Sequence, residues 1–157
     1  DEYRLSVLAG YKRSKAEVLA RMEQRKQSKP QHKKQDDSYI SLTELARNHS
    51  KNTPGYVIQS WLRSENTLAF LNLWEQENNP DYREAGYIEL LEKKKTASFT
   101  LTPKLWIEKT EAIGIASKQG KGGGTFAHPM IGCEFASWIS PEFKMPLLKL
   151  SLDRERL

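Results

Sequence analysis

A glycine-rich, basic turn between two helical patterns constrains the fold of this chain more than any other stretch. Residues 115–126 read IASKQGKGGGTF, so apolar ends flank a tip that carries four glycines and two lysines. Glycine permits positive φ and lets the backbone approach another surface closely, whereas a tip with so few side chains cannot pack a core. The segment therefore predicts a β-hairpin with a basic tip.

Helical patterns flank this hairpin on both sides. Thr102 and Pro103 form a typical helix start, because threonine can cap free N–H groups and proline has no donor to leave unpaired. We expect this helix to span residues 103–113, with Gly114 ending it, and a second helix to span residues 128–140. A helix followed by a basic hairpin is typical of a winged helical DNA-binding unit. A mobile surface hairpin with solvated lysines accounts for the same residues equally well.

The charge of the chain is uneven. The 157 residues carry a net charge of +5, which favours a polyanionic partner. Residues 1–37 hold ten Lys and Arg against six Asp and Glu, a net charge of +4, while residues 38–157 hold fifteen against fourteen, a net charge of +1. A DNA-binding face on the globular part must therefore come from local clustering of basic residues.

The single cysteine and the lack of long apolar runs fit a reducing cytoplasm. Cys133 has no partner for an intrachain disulfide, and its place in a helical pattern favours a packed thiol over a nucleophile. No apolar run approaches the roughly 20 residues of a membrane span. Leu5–Gly10 is too short for the apolar region of a signal peptide.

The chain divides into three parts. Residues 1–37 are predicted to be a basic extension, with a helix from a capping box at Ser14 through about Gln27 and then a polar linker. This arm either lies along a phosphate backbone or is a solvated helix. The domain proper is expected at residues 38–152, and residues 153–157 form a tail.

Helix and strand signals recur through the first half of the domain. Start signals predict helices after Ser41, after Thr53 and at about Asn66, and a further helix is expected within residues 82–95. Short strands are predicted at Tyr39-Ile40 and at Ala97–Leu101, and the core is expected to contain Trp61, Trp74, Trp106 and Trp138.

Two stretches lack acidic residues, as a nucleic-acid surface requires. The first, residues 112–133, contains the hairpin lysines, and the second, residues 45–64, contains Arg47, His49, Lys51 and Arg63. Helix starts next to the second stretch favour phosphate, although a solvated face on core helices is at least as good an interpretation.

The sequence does not match the residue spacing of the nucleotide-binding and metal-binding motifs that enzymes use. Gly120-Lys121 is followed by Gly122 where a Walker A loop needs serine or threonine, and Thr125 stands where a dinucleotide fingerprint needs glycine. The three histidines share no ligand spacing with one another or with Cys133. We therefore predict no catalytic residue, no metal site and no cofactor.

Three long motifs carry a family resemblance: YISLTELAR, VIQSWLRSENTLAFLNLWEQENNP and FTLTPKLWIEKTEAIGIASKQGKGGGTFAHPMIGCEFASWISPEFK. Together they resemble a KilA-N domain, a module of phage and large-DNA-virus proteins and of related bacterial proteins. The resemblance covers about Ser38 to Leu150, and GGTFAH followed by EFASWISPEFK is its most specific part. Residues 1–37 lie outside it.

The resemblance implies an α+β fold like that of the fungal APSES domain and sequence-specific duplex DNA binding, as in phage regulators and antirepressors. By that comparison residues 103–113 resemble the recognition helix and residues 117–125 the wing. Met145-Pro146 departs from the family pattern, in which a helix usually continues, so we expect a kinked or short C-terminal helix.

The fold class predicted is therefore α+β, mostly helical, with a small antiparallel sheet and a β-hairpin wing. The expected partner is double-stranded DNA, with another regulator protein or a second copy as further candidates. The resemblance implies a location in the cytoplasm of a bacterial cell or in its nucleoid. The alternatives are an antirepressor-type protein-interaction module, a single-strand or RNA binder, which would need exposed aromatic residues, and a catalytic role. The candidate DNA-contacting residues are Lys51, Arg63, Lys104, Lys109, Lys118, Gln119, Lys121, Gly122, Gly123, Gly124, Thr125 and His128.

Overall fold

The computed structural model of the chain describes residues 38–155 and, ahead of them, Ala20 alone. Within residues 38–155 seven helices surround a three-stranded antiparallel sheet, which confirms the predicted α+β class. The capping box at Ser14, the linker and, apart from Ala20, the helix through Gln27 lie outside the described residues. The strands are β1 (Ile40–Ser41), β2 (Ile115–Lys118) and β3 (Gly124–Ala127); the helices are α1 (Leu42–His49), α2 (Pro54–Leu62), α3 (Glu65–Asn78), α4 (Glu84–Lys93), α5 (Pro103–Thr110), α6 (Pro129–Ile139) and α7 (Pro141–Glu155).

The sheet joins the two ends of the domain through its central strand. β3 pairs with β2 in the predicted hairpin, with Lys118 opposite Gly124, and on its other edge it pairs with β1. The pairing of Ile40 with Ala127 places the start of α1 against the base of the hairpin. A two-residue strand is stable here because α1 continues from it and packs on β3.

Side-chain caps start three helices where the sequence predicted helix starts. The Ser41 hydroxyl accepts a hydrogen bond from the Glu44 N–H at 3.1 Å, and the Thr102 hydroxyl accepts one from the Leu105 N–H at 3.2 Å. His128 caps α6 in the same way, since its Nδ1 accepts the Met130 N–H at 3.1 Å. Such caps satisfy donors that have no partner inside the helix.

One core packs the helices against the sheet, and three of the four tryptophans belong to it. Trp61, Trp74 and Trp106 are buried, as predicted. The prediction for Trp138 is wrong, since its side chain is 47% exposed. α6 turns Ile131, Gly132, Phe135 and Ala136 inward, and Trp138 lies at the edge of that face, stacked on Phe135.

The helix before the hairpin is shorter than expected. α5 ends at Thr110 instead of residue 113, because Glu111 adopts a left-handed conformation with φ 53° and its N–H closes onto the Ile107 carbonyl at 2.9 Å. Gly114 has a packing role instead of a terminating one. A Cβ atom there would lie 2.5 Å from Ile131 and 2.8 Å from Trp74, so only glycine fits.

Two other predictions are corrected by the structure. Residues 97–101 form no strand, because the Thr96 hydroxyl bonds back to the Lys93 carbonyl and the Phe99 N–H bonds to the Thr96 carbonyl, which closes turns after α4. The C-terminal helix is not short. α7 continues through Pro146, which removes a single N–H donor, and reaches Glu155, past the expected domain end at residue 152.

Candidate nucleic-acid interface

The helix α5 exposes few side chains, because most of its surface packs on the core. Trp106 and Thr110 are buried, and Leu105 and Ile107 are half-buried against the same core. Its exposed side chains are Lys104, in the first turn, and Glu108, one turn further on. A nucleic acid could therefore approach a cation at the N-terminal end of α5 but would meet a carboxylate along its length.

Lys109 is already paired. Its ammonium lies 3.0 Å from the Glu89 carboxylate, which also faces Lys93 at 3.3 Å. The hydrogen bond from Lys109, followed by that from Lys93, lowers the pKa of the Glu89 carboxyl group. Because its charge is compensated inside the domain, Lys109 is a weaker candidate for phosphate contact than the sequence suggested.

The approach of α4 to α5 depends on Gly86, which sequence reasoning missed. A Cβ atom at Gly86 would overlap the carbonyl oxygen of Lys109, and the Arg83 N–H donates to the Thr110 carbonyl at 2.9 Å. These contacts join the start of α4 to the end of α5 backbone to backbone. The signal in the sequence was a glycine inside a helical pattern, which often marks close packing.

The hairpin tip presents its basic and amide side chains to solvent. Lys118, Gln119 and Lys121 are all exposed, and Lys118 lies over the Phe126 ring, 5.2 Å from its centroid. Gly120 and Gly122 take positive φ values of 86° and 75°, which residues with a side chain rarely adopt. The predicted tip is therefore formed, with Gly122 and Gly123 in the turn.

Thr43 attaches the part of β3 next to the turn to α1. The Thr125 N–H donates to the Thr43 hydroxyl at 3.0 Å, and a Cβ atom at Gly124 would lie 2.6 Å from the same hydroxyl oxygen. Thr125 is buried, so its side chain does not reach the surface where the sequence led us to expect a DNA contact. Gly124 and Thr125 support the hairpin and do not form its outer face.

A buried glutamate connects α5 to the hairpin. The Glu75 carboxylate accepts the N–H groups of Ile113 and Gly114 at 2.8 and 2.7 Å and the side-chain amide of Asn79 at 3.0 Å. Asn79 also donates to the Glu111 carbonyl at 2.9 Å. Glu75 thus holds the loop between α5 and β2, which sets the angle between the helix and the hairpin.

His128 belongs to this connection and not to the outer face. Its backbone N–H donates to the Gly114 carbonyl at 2.9 Å, and the centroid of its half-buried ring lies 4.9 Å from that of the Trp74 ring. Together with the cap on α6, these contacts give His128 a structural role at the far side of the sheet from the tip.

Lys51 and Arg63 lie on a second basic region, Lys51 in the loop before α2 and Arg63 directly after its last residue. The Arg63 guanidinium lies over the exposed Tyr56 ring at 5.7 Å, and the Arg63 carbonyl accepts a hydrogen bond from Lys94, whose pKa is lowered by burial. Tyr56 and Trp138 line a cleft of about 250 Å³ on this side. No contact described for residues 38–155 joins Arg63 or Lys51 to the hairpin tip.

Neither a metal cluster nor a membrane-spanning helix is present among the described residues. No group of three or more His, Cys, Asp and Glu side chains there is arranged to hold a metal ion. No helix in the same part of the chain is long and apolar enough to cross a membrane.

The fold and the site together define a small α+β domain in which a short helix and a glycine-rich, lysine-bearing hairpin are held by buried contacts. The chain belongs to the KilA-N domain family, whose model matches residues 23–153. This is a DNA-binding domain family. The match begins at residue 23, inside the extension that the resemblance seen in the sequence left uncovered.

A relative comes from a phage. The chain is 41% identical over 58 residues to Protein kilA of Escherichia phage P1, an alignment that covers 34% of this chain and 22% of that protein. The chain thus spans about a fifth of the length of this relative. No solved structure was found to match the chain.

Proposed function

We propose that this chain binds double-stranded DNA sequence-specifically, as part of a phage-type or prophage-type regulator, through the hairpin tip at residues 117–125 and the N-terminal end of α5. The observation that carries the proposal is the exposure of Lys118, Gln119 and Lys121 at the tip of a hairpin whose connection to α5 is held by Glu75. DNA binding of this kind needs positive charge for affinity and polar groups for base edges.

Each exposed group at the tip has a chemical role in this proposal. The ammonium groups of Lys118 and Lys121 contact phosphates, and the Gln119 amide can both donate to and accept from a base edge. The glycines at 120, 122 and 123 let the backbone approach the duplex, because no side chain keeps it away. Gly124 and Thr125 support this surface through their contacts with Thr43.

The N-terminal end of α5 completes the surface. Lys104 is exposed in the first turn, where free N–H groups and the helix dipole also favour a phosphate. Glu108 prevents the helix from lying flat on the backbone, so α5 enters a groove by its end. The length of α5, which stops at Thr110, agrees with this end-on approach.

The test of the proposal is a selection of duplexes from a random pool by the full chain at two salt concentrations. Salt-sensitive binding with an enriched motif supports a sequence-specific reader, and salt-sensitive binding without enrichment supports a backbone binder only. Unlabelled single strands serve as competitors, because Tyr56 and Trp138 are exposed aromatic rings. Preference for the single strands, or no binding at low salt, contradicts the proposal.

Replacing Glu108 by glutamine is expected to tighten DNA binding, because the change removes a carboxylate beside the phosphates without altering the shape of α5. The dissociation constant should fall several-fold at low salt, and the difference should shrink as salt screens the repulsion. Fluorescence anisotropy with a selected duplex measures both effects.

The matched control is Asp81→Asn, which removes the same charge from an exposed residue in the loop between α3 and α4. That loop lies beside the C-terminal end of α5, whereas Lys104 is at the N-terminal end, so the change should leave binding almost unaltered. Equal effects of the two substitutions would mean that α5 does not face the duplex and that the gain reflects net charge alone.

An antirepressor-type module that binds another regulator is the second candidate. The near-neutral charge of residues 38–157 favours it, because most of the positive charge lies in residues 1–37. Such a module would respond weakly to DNA at every salt concentration and would form a stable complex with a repressor.

A further inference from the structure

The C-terminal helix carries more large exposed apolar side chains than any other element that the structure describes. Five large apolar side chains of α7 are exposed, namely Phe143, Met145, Leu148, Leu150 and Leu152. A stripe of exposed apolar side chains on a folded domain marks a place where another chain packs.

These side chains form two stripes on opposite faces of α7. Leu147, which is half-buried, lies on the face of α7 nearer the domain, where α7 packs on α6; Phe143 and Leu150 share this stripe, but Leu150 is 63% exposed. Met145, Leu148 and Leu152 form the other stripe and are 58%, 50% and 58% exposed. Their spacing of three and then four residues is that of the a and d positions of a coiled coil.

The charges beside this outer stripe distinguish between possible partners. In a parallel pair of α7 helices, Lys144 would lie beside Lys149 of the other copy, and like charges would repel. In an antiparallel pair with Met145 opposite Leu148, Glu142 lies beside Lys149 of the other copy, twice by symmetry. Lys149 forms no salt bridge within the described residues, and Glu142 accepts a hydrogen bond from the Ser140 hydroxyl at 3.3 Å.

We propose that the outer stripe of α7 packs against the same stripe of a second copy, antiparallel and around a two-fold axis. The interface is self-complementary, since Met145 of each copy faces Leu148 of the other and each end carries a Glu142–Lys149 pair. Residues 1–37 are a poorer partner for this stripe. They carry a net charge of +4, whereas α7 has as many cations as carboxylates and so offers no net negative charge to attract them.

The pairing does not depend on DNA binding. If the proposed function also holds, the dimer presents two hairpins related by the same axis, and the selected DNA site should contain an inverted repeat.

Sedimentation velocity of the full chain over a range of protein concentrations tests the proposal. A short interface predicts a concentration-dependent dimer, and Leu148→Glu should shift the chain to monomer at every concentration. The control is Ile88→Glu on α4, an apolar residue that is 55% exposed but lies outside the stripe, and it should leave the dimer intact.

A charge exchange tests the antiparallel register. Lys149→Glu places two carboxylates together at each end and should weaken the dimer about tenfold or more, whereas Glu142→Lys combined with Lys149→Glu should restore it. A wild-type chain that stays monomeric overturns the proposal, and if Leu148→Glu then lowers its melting temperature, the stripe packs within its own chain. A dimer that Leu148→Glu does not disrupt overturns it equally.

Discussion

Replacement of Glu75 by alanine is expected to lower the free energy of unfolding by about 3 kcal/mol or more, a large part of the roughly 5–15 kcal/mol typical of a domain. The substitution leaves the N–H groups of Ile113 and Gly114 and the amide of Asn79 without their buried acceptor. Each unsatisfied donor costs about 1–3 kcal/mol, partly recovered if water enters the cavity. Urea unfolding followed by tryptophan fluorescence measures the loss.

Two further variants separate the acceptor from its charge. Glu75→Gln keeps one carbonyl oxygen for the backbone donors but turns an NH₂ group toward Asn79, so we expect an intermediate loss. Glu108→Ala removes an exposed carboxylate from α5 and should change stability by less than about 0.5 kcal/mol. If Glu75→Ala were as stable as Glu108→Ala, the loop between α5 and β2 would not depend on the buried carboxylate.

The double substitution Lys118→Ala with Lys121→Ala is expected to weaken duplex binding while the domain stays folded. Both side chains are exposed at the tip, so their removal creates no cavity. Each lost phosphate contact should reduce the log–log slope of affinity against salt by about 0.9, and the weakening should be similar for all sequences. Anisotropy titrations at several salt concentrations give the slope.

The matched control for this double variant is Lys109→Ala. It also removes a lysine charge, but that charge is paired with Glu89, which keeps Lys93 as a partner. The salt slope should stay nearly the same as that of the wild-type chain. A double variant that binds DNA with the wild-type slope would show that the hairpin tip is not the contact surface.

These two results would divide the site into a part that contacts DNA and a part that positions it. Loss of Glu75 acts on stability because the carboxylate is buried, whereas loss of the tip lysines acts on binding because they are exposed. The proposed α7 interface is a third, separate surface, since its residues belong to neither part.

The sequence alone determined the features that depend on local chemistry. Capping residues such as Ser41 and Thr102 satisfy donors three residues away, so the helix starts could be predicted from short stretches. The glycines at 120 and 122 adopt the positive φ that a tight turn requires, and their positions in the sequence were enough to locate the hairpin turn. The family motifs likewise depend only on the order of residues, and the family model confirmed them.

Only the tertiary structure decided which side chains are available at the surface. Trp138 was expected in the core but is exposed, and Thr125 was expected at the surface but is buried. Burial depends on what packs against a residue, and neither a helical repeat nor a strand pattern contains that information. The pairing of Lys109 with Glu89 and the contacts of Glu75 with Ile113 and Gly114 join residues 20 to 39 positions apart. Such contacts form only after the helices have docked, so the sequence predicted the elements of the site and their packing determined its geometry.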